Sequence, residues 1–260
     1  MKKPENLREI NQSFELQAAG FESRSLNFAK EEYLKKTVDT VAPDKRMDML
    51  EVAAGTCAVS RSFAPYVNLT VCLDATEAML HVGRTEAEKS GLNNMVFVKG
   101  YAEELPFLSD TFDIVISRLA FHHFTAVQAV FDEMVRVLKP GGRIVMIDML
   151  APEEELRGIR DEIEILRDPS HVRNLSKAEM MRLFEDKGLS IEVDDVTRMT
   201  VELESWMELT KIPEDDTARI RSLMDAEIDG GMKTGFHPYR TDKEICIEQE
   251  WEMLIGRKMI

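Results

Sequence analysis

Five short apolar runs recur along the first part of the chain, separated by segments with a helical repeat. They occupy residues 47–52, 69–73, 95–99, 112–116 and 143–147. Runs this short and this continuously apolar predict strands buried on both faces, not half-exposed ones. Before the fifth run, Val127, Val130, Phe131, Met134, Val135 and Leu138 follow the three-and-four spacing of a helix with one buried face. Thr76, Thr125 and Ser176 stand where helix N-caps are expected. Lys139-Pro140-Gly141-Gly142 ends one helix and turns into the next strand. This β–α alternation predicts an α/β domain with a parallel sheet covered on both faces.

The flanks read differently. Residues 1–45 show no strand; residues 6–18 and 25–41 have helical spacing, with Leu34, Val38 and Val41 on one face. Phe14, Gln17, Ala18 and Phe21 form an aromatic-rich segment that suits either core packing or a cover over a ligand. Pro43-Asp44 marks a boundary. After Asp148 the pattern changes to a charged helix over 152–166, a turn at Asp168-Pro169-Ser170-His171 and a helix from Ser176 to about Lys187. A strand is expected from Gly188 through Val196 and another over 245–255. A helical insertion at 202–230 and the loop 231–239 separate them. The organisation expected is an N-terminal helical extension, 1–45, and one domain, 46–260, carrying a helical cover insertion at about 202–240.

Composition narrows the function classes. The 260 residues are 44% hydrophobic and 31% charged, as in a globular chain long enough for a full core. A formal charge of −15 argues against nucleic acid as a partner, since backbone phosphates need a basic face. No apolar run reaches the ~18–20 residues of a membrane span, and no apolar segment follows the two N-terminal lysines as in a signal peptide. Cys57, Cys72 and Cys246 have no C-x-x-C spacing. They read as free thiols of a cytoplasmic protein, and no metal site is expected. A homodimer is left open.

The chemistry concentrates in MDMLEVAAGTCAVS, residues 47–60. A strand, a small-residue turn and a helix start open a nucleotide-type binding unit, with helix-start N–H groups expected to face the ligand. Glu51 decides between ligands. A carboxylate at the strand end repels a pyrophosphate and suits a ligand with ammonium and sulfonium charges, which favours S-adenosylmethionine over a dinucleotide. Asp74 closes the second strand, where a carboxylate of a doubly wound fold accepts both ribose hydroxyls. The plainer alternative is an acidic residue at a helix start.

LEVAAGTC, CLDATEAML, GYAEELPF, FDIVISRLAFHHF and RVLKPGGRIVMID, in this order, resemble a class I S-adenosylmethionine-dependent methyltransferase. The nearest likeness is the ubiquinone/menaquinone-type C-methyltransferase branch. The likeness extends more weakly through Arg167–Arg173 to a subgroup of uncharacterised small-molecule methyltransferases. It implies a Rossmann-like, doubly wound, seven-stranded sheet, mostly parallel with an antiparallel last strand. It also places Glu51, Ala53 and Gly55 at the methionine end, Asp74 at the ribose, and Ala75, Tyr101, Ala102 and Glu103 around the adenine. Arg118 falls where the family closes over the methionine moiety. Two positions depart from the pattern. Cys57 stands at a usual glycine, tolerable with a negative-φ backbone, and Tyr101 replaces an acidic residue that commonly meets the adenine amino group.

Methyl transfer from a sulfonium needs alignment more than acid–base help; an oxygen or carbon acceptor would gain from a base. His122 and His123, beyond the fourth strand, are the candidates, against a packing and capping role. His171 and Arg173 are further pocket candidates. Trp206, Met207, Met224, Met232, Phe236, His237 and Tyr239 give the insertion an apolar, aromatic character, which suits either a lid over an aromatic or lipophilic acceptor or ordinary packing of a small helical layer, with a polar acceptor also open. The expected function is C- or O-methyl transfer from S-adenosylmethionine to a small molecule, releasing S-adenosylhomocysteine. The alternatives are a cofactor-binding regulatory or scaffold protein with the same fold, and a nicotinamide dehydrogenase, which the missing dinucleotide glycines oppose.

Overall fold

The computed structural model describes residues 3–21 and 31–260. Helices α1 (Leu7–Phe21) and α2 (Glu31–Val41) precede strand β1 (Asp48–Val52). Part of the second predicted helix, residues 25–30, lies outside the described residues. Then follow α3 (Ala58–Phe63), β2 (Leu69–Asp74), α4 (Glu77–Lys89), β3 (Met95–Lys99), β4 (Phe112–Arg118), α5 (Val127–Val137) and β5 (Leu138–Met149). The C-terminal part comprises α6 (Arg157–Arg167), α7 (Lys177–Glu185), β6 (Ser190–Glu202), α8 (Leu203–Glu208), α9 (Glu214–Ile228), β7 (Tyr239–Arg240) and β8 (Ile245–Arg257).

Seven strands lie in the order β3-β2-β1-β4-β5-β8-β6, with β8 antiparallel to both neighbours, as the sequence leads one to expect. The short β7, pairing with β8, is an addition. The period of two explains the burial on both sides. Leu50, Val52, Val115, Ile144 and Met146 face one layer, where α5 contributes Val130, Phe131 and Met134. Met49, Ile114, Ile116, Val145 and Ile147 face the other, against Val38 and Val41 of α2 and Phe63 of α3. A third apolar cluster ties α8 and α9 to the sheet through Met149, Met199 and Trp251. Ser176 caps α7 in a reciprocal capping box with Glu179. Thr125 does not cap α5: the helix begins at Val127, and Ala126 in the cap position makes no side-chain bond. The strand order reverses between β1 and β4, which opens a crevice at their carboxyl ends.

Candidate functional site

After β1 the backbone is left-handed at alternate residues: Ala53 (φ 55°), Gly55 (φ 52°) and Cys57 (φ 60°). The negative φ expected at Cys57 is therefore corrected. The cysteine adopts the glycine-like conformation, at a cost of about 1–2 kcal/mol for a side-chain-bearing residue. The loop is held there by bonds from Ala54 N–H to the Leu73 carbonyl at 2.9 Å and from Cys57 N–H to the Ala54 carbonyl at 2.7 Å. The fully buried thiol sits against Gly83 of α4, where any Cβ would come within 2.8 Å of it. Helix-start N–H groups were expected to face a ligand, but one is already taken. Ser60 N–H donates to Glu51 Oε2 at 2.8 Å. Burial pushes the Glu51 carboxyl up to about 7, against the pull of Ser60 and of the cations Arg118 and Arg61.

Asp74, at the end of β2, ties this loop to the next. Its Oδ2 accepts from Gly55 N–H at 2.7 Å and its Oδ1 from Thr76 N–H at 2.8 Å. Thr76 occupies the cap position of α4 but its hydroxyl makes no cap bond, so Asp74 orders that turn instead. These bonds, with a further pull from Ala75 N–H, leave only part of the carboxylate's acceptor capacity for a ligand. Ala75, Tyr101, Ala102 and Glu103 line the same cavity as Glu51, Ala53, Gly55, Asp74 and Arg118. Glu103 is buried and neither carboxylate oxygen has a hydrogen-bond partner among the described residues. Burial raises its pKa. An orphaned carboxylate facing a cavity marks a place for a donor.

The other end of the cavity is built at β4 and β5. Their parallel register pairs Arg118 with Ile147, which sets the following residues side by side. Arg118 is half-buried, with its guanidinium over the Trp251 ring, and desolvation lowers it to about 10 despite Glu51 and Asp148. His122 Nδ1 lies 2.6 Å from Asp148 Oδ1. Asp148 Oδ2 accepts from the Ala120 and Phe121 N–H groups at 2.9 and 2.7 Å. Burial alone would lower the His122 pKa, but the Asp148 charge and hydrogen bond prevail and raise it. His123 goes the other way. Burial beside His122 lowers it to about 3, and its Nδ1–H donates to the Ser170 carbonyl at 3.1 Å. Both rings line the cavity.

Sequence reasoning missed several members of this site. Asp148 gave the same signal as Asp74, an acid closing an apolar strand, yet went unremarked. Asp168 holds Ser13 of α1 at 2.8 Å and Ser170 Oγ at 2.6 Å, and Gln17 at 3.3 Å. Thus α1 is fastened over the cavity, with Phe14 edge-on to His123. His171 and Arg173 are corrected: neither lines this cavity. His171 Nε2 turns to Asp161 at 3.1 Å, and Arg173 pairs with Glu179 at 2.7 Å beside a separate surface groove. Of the insertion, Trp206 and Leu209 reach the cavity. Met207, Met224 and Phe236 pack inward, while Met232 and Tyr239 are exposed.

A doubly wound sheet of this order, with Glu51 and a small-residue loop at its switch point and a second acid closing β2, defines a class I S-adenosylmethionine-dependent methyltransferase fold, and the chain belongs to that family. Residues 50–146 match the family model described as a methyltransferase domain. The chain is 34% identical over 194 residues to the uncharacterised methyltransferase YcgJ of Bacillus subtilis, covering 74% of this chain and 77% of that protein. The YcgJ crystal structure superposes with a TM-score of 0.80 at 30% identity, covering 88% of this chain and 99% of that one. The ubiquinone/menaquinone biosynthesis C-methyltransferase UbiE of Shewanella frigidimarina is 32% identical over 136 residues, 50% of this chain and 54% of that protein. Among the described residues, no helix is long and apolar enough to cross a membrane.

Proposed function

We propose that this protein transfers a methyl group from S-adenosylmethionine to a small-molecule acceptor inside the cavity covered by α1 and α8. The carrying observation is that one cavity joins Glu51, Asp74 and the orphaned Glu103 to the His122–Asp148 pair. Bound there, the cofactor supplies an electrophilic methyl group on a sulfonium.

The residues fit it. Asp74 keeps acceptor capacity for the ribose hydroxyls, and Ala75 and Ala102 leave room beside the base. Glu103 offers the carboxylate that Tyr101 lacks, an acceptor for the adenine amino group. Glu51 and the half-buried Arg118, which line the same end of the cavity, suit the amino and carboxylate groups of the methionine end.

At the acceptor side, Asp148 orients His122 through Nδ1, which leaves Nε2 to take a proton from an oxygen or carbon acceptor. His123, neutral and bonded to Ser170, serves as a wall. Trp206, Leu209 and Phe14 exclude water and favour an aromatic or lipophilic body. The buried thiols agree with a reducing, cytoplasmic setting.

A methyl-transfer assay with isotopically labelled S-adenosylmethionine over a panel of phenols, enols and aromatic acids tests this reading. Label in at least one small-molecule product, abolished in Asp74→Ala, is expected. Tight cofactor binding with no transfer to any acceptor would favour the regulatory alternative.

A further inference from the structure

Arg167, the last residue of α6, is buried and lines the cavity, its guanidinium 4.7 Å from the centre of the Trp206 ring. Its Nε and Nη1 have no hydrogen-bond partner among the described residues. Two carboxylates lie close, Glu164 at 3.6 Å from Nε and Asp168 at 3.9 Å from Nη2. Both are beyond hydrogen-bond distance; Asp168 is engaged elsewhere, whereas both Glu164 oxygens, like these donors, have no hydrogen-bond partner among the described residues. Glu164 also pairs with Arg160 at 3.5 Å, and Asp168 accepts from Ser13, Gln17 and Ser170. A guanidinium presents a rigid fork of donors, and leaving them unmade in a dry site is costly. The charge of Arg167 is felt at His122, which puts it in the acceptor half of the cavity.

We propose that Arg167 anchors a carboxylate on the methyl acceptor, so that the substrate class is a monoanionic acid with an apolar body. This rests on the methyl-transfer reading above. The planar fork matches a carboxylate in two parallel hydrogen bonds. One charge is the right number. Arg160 and Arg167 together only offset Glu164 and Asp168, so a phosphate dianion would bring two uncompensated negative charges where a carboxylate brings one. Trp206, Leu209 and Phe14 supply the apolar walls.

Calorimetry on the full-length protein saturated with S-adenosylhomocysteine tests the anchor. The probes are para-substituted benzoates beginning with 4-hydroxybenzoate, their amides, and phenyl phosphate. The acids are expected to bind at least about tenfold tighter than their amides and tighter than phenyl phosphate. Arg167→Met should erase the acid preference while leaving S-adenosylhomocysteine affinity intact, and Arg167→Lys should keep part of it. Equal binding of acid and amide, no binding of any acid, preference for the phosphate, or a preference that survives Arg167→Met would each overturn the proposal. If Arg167→Met does not fold, the comparison within the wild type decides. Failure of S-adenosylhomocysteine itself to bind would instead sink the cofactor reading.

Discussion

His122 and Asp148 meet at 2.6 Å although 26 residues separate them, because β4 and β5 run parallel and end together. The pair makes a pH-dependent prediction. Asp148 favours the protonated ring, so the His122 pKa is raised, with Glu164 acting in the same direction and Arg167 against it. A base must be neutral, so turnover should rise as pH passes upward through that raised value and then level off. Asp148→Asn should shift the inflection down, and His122→Ala should lower turnover about a hundredfold or more with cofactor affinity kept. The same linkage reverses for stability. The contribution of the pair is full below the unfolded value of about 6.5 and is lost as pH rises through the folded one. A pH–rate profile that is flat and unchanged in Asp148→Asn would leave the reaction to proximity alone.

Asp74 has two tasks, and its replacement should show both. Asp74→Ala is expected to weaken S-adenosylhomocysteine binding by about 2–3 kcal/mol. It should also lower the melting temperature, because Gly55 and Thr76 N–H lose their acceptor. Titration and a thermal melt on the same sample measure the two. Undiminished affinity in a folded variant would take Asp74 out of the site.

Gly83→Ala separates local propensity from packing. In a helix interior the change ordinarily stabilises by about 1 kcal/mol. Here the new Cβ would sit 2.8 Å from both Cys57 Sγ and the Thr56 carbonyl oxygen. Overpacking against backbone should cost more than propensity returns, so the melting temperature should fall by a few degrees and cofactor affinity with it. A rise in melting temperature would show that the loop yields freely.

The sheet was legible because its signals are local. Short continuous apolar runs place β1 to β5 from residues alone, and family likeness supplied the seven-stranded, doubly wound sheet with an antiparallel last strand. The proposed cofactor end drew on the same local signals, since Glu51, Gly55 and Asp74 lie at or just beyond the ends of those strands. The acceptor end was not. Ser13 carries no mark in an N-terminal segment, and the weak likeness over Arg167–Arg173 gives Arg167 and Asp168 no role; only the tertiary fold brings the three together. Cys57 misled for a physical reason: its left-handed backbone is imposed by bonds to Ala54 and contact with Gly83, neither visible in its neighbours.

Movement over the cavity should centre on α1. That helix is fastened by side-chain bonds from Ser13 and Gln17 to Asp168, whereas α8 and α9 share an apolar core with Met199 and Trp251. Hydrogen exchange with and without S-adenosylhomocysteine should show protection rising in Leu7–Phe21 and little change in Glu214–Ile228. Ligand-dependent protection confined to the insertion would make the insertion the lid.

The central claim is that the crevice between β1 and β4 is built for a sulfonium nucleoside and not for a dinucleotide. Parallel calorimetric titrations with S-adenosylhomocysteine and NAD address it most directly. Glu51, beside the loop where a pyrophosphate would lie, disfavours phosphates, so S-adenosylhomocysteine is expected to bind with one-to-one stoichiometry and NAD to give no binding heat. Binding of NAD with none of S-adenosylhomocysteine would contradict the account.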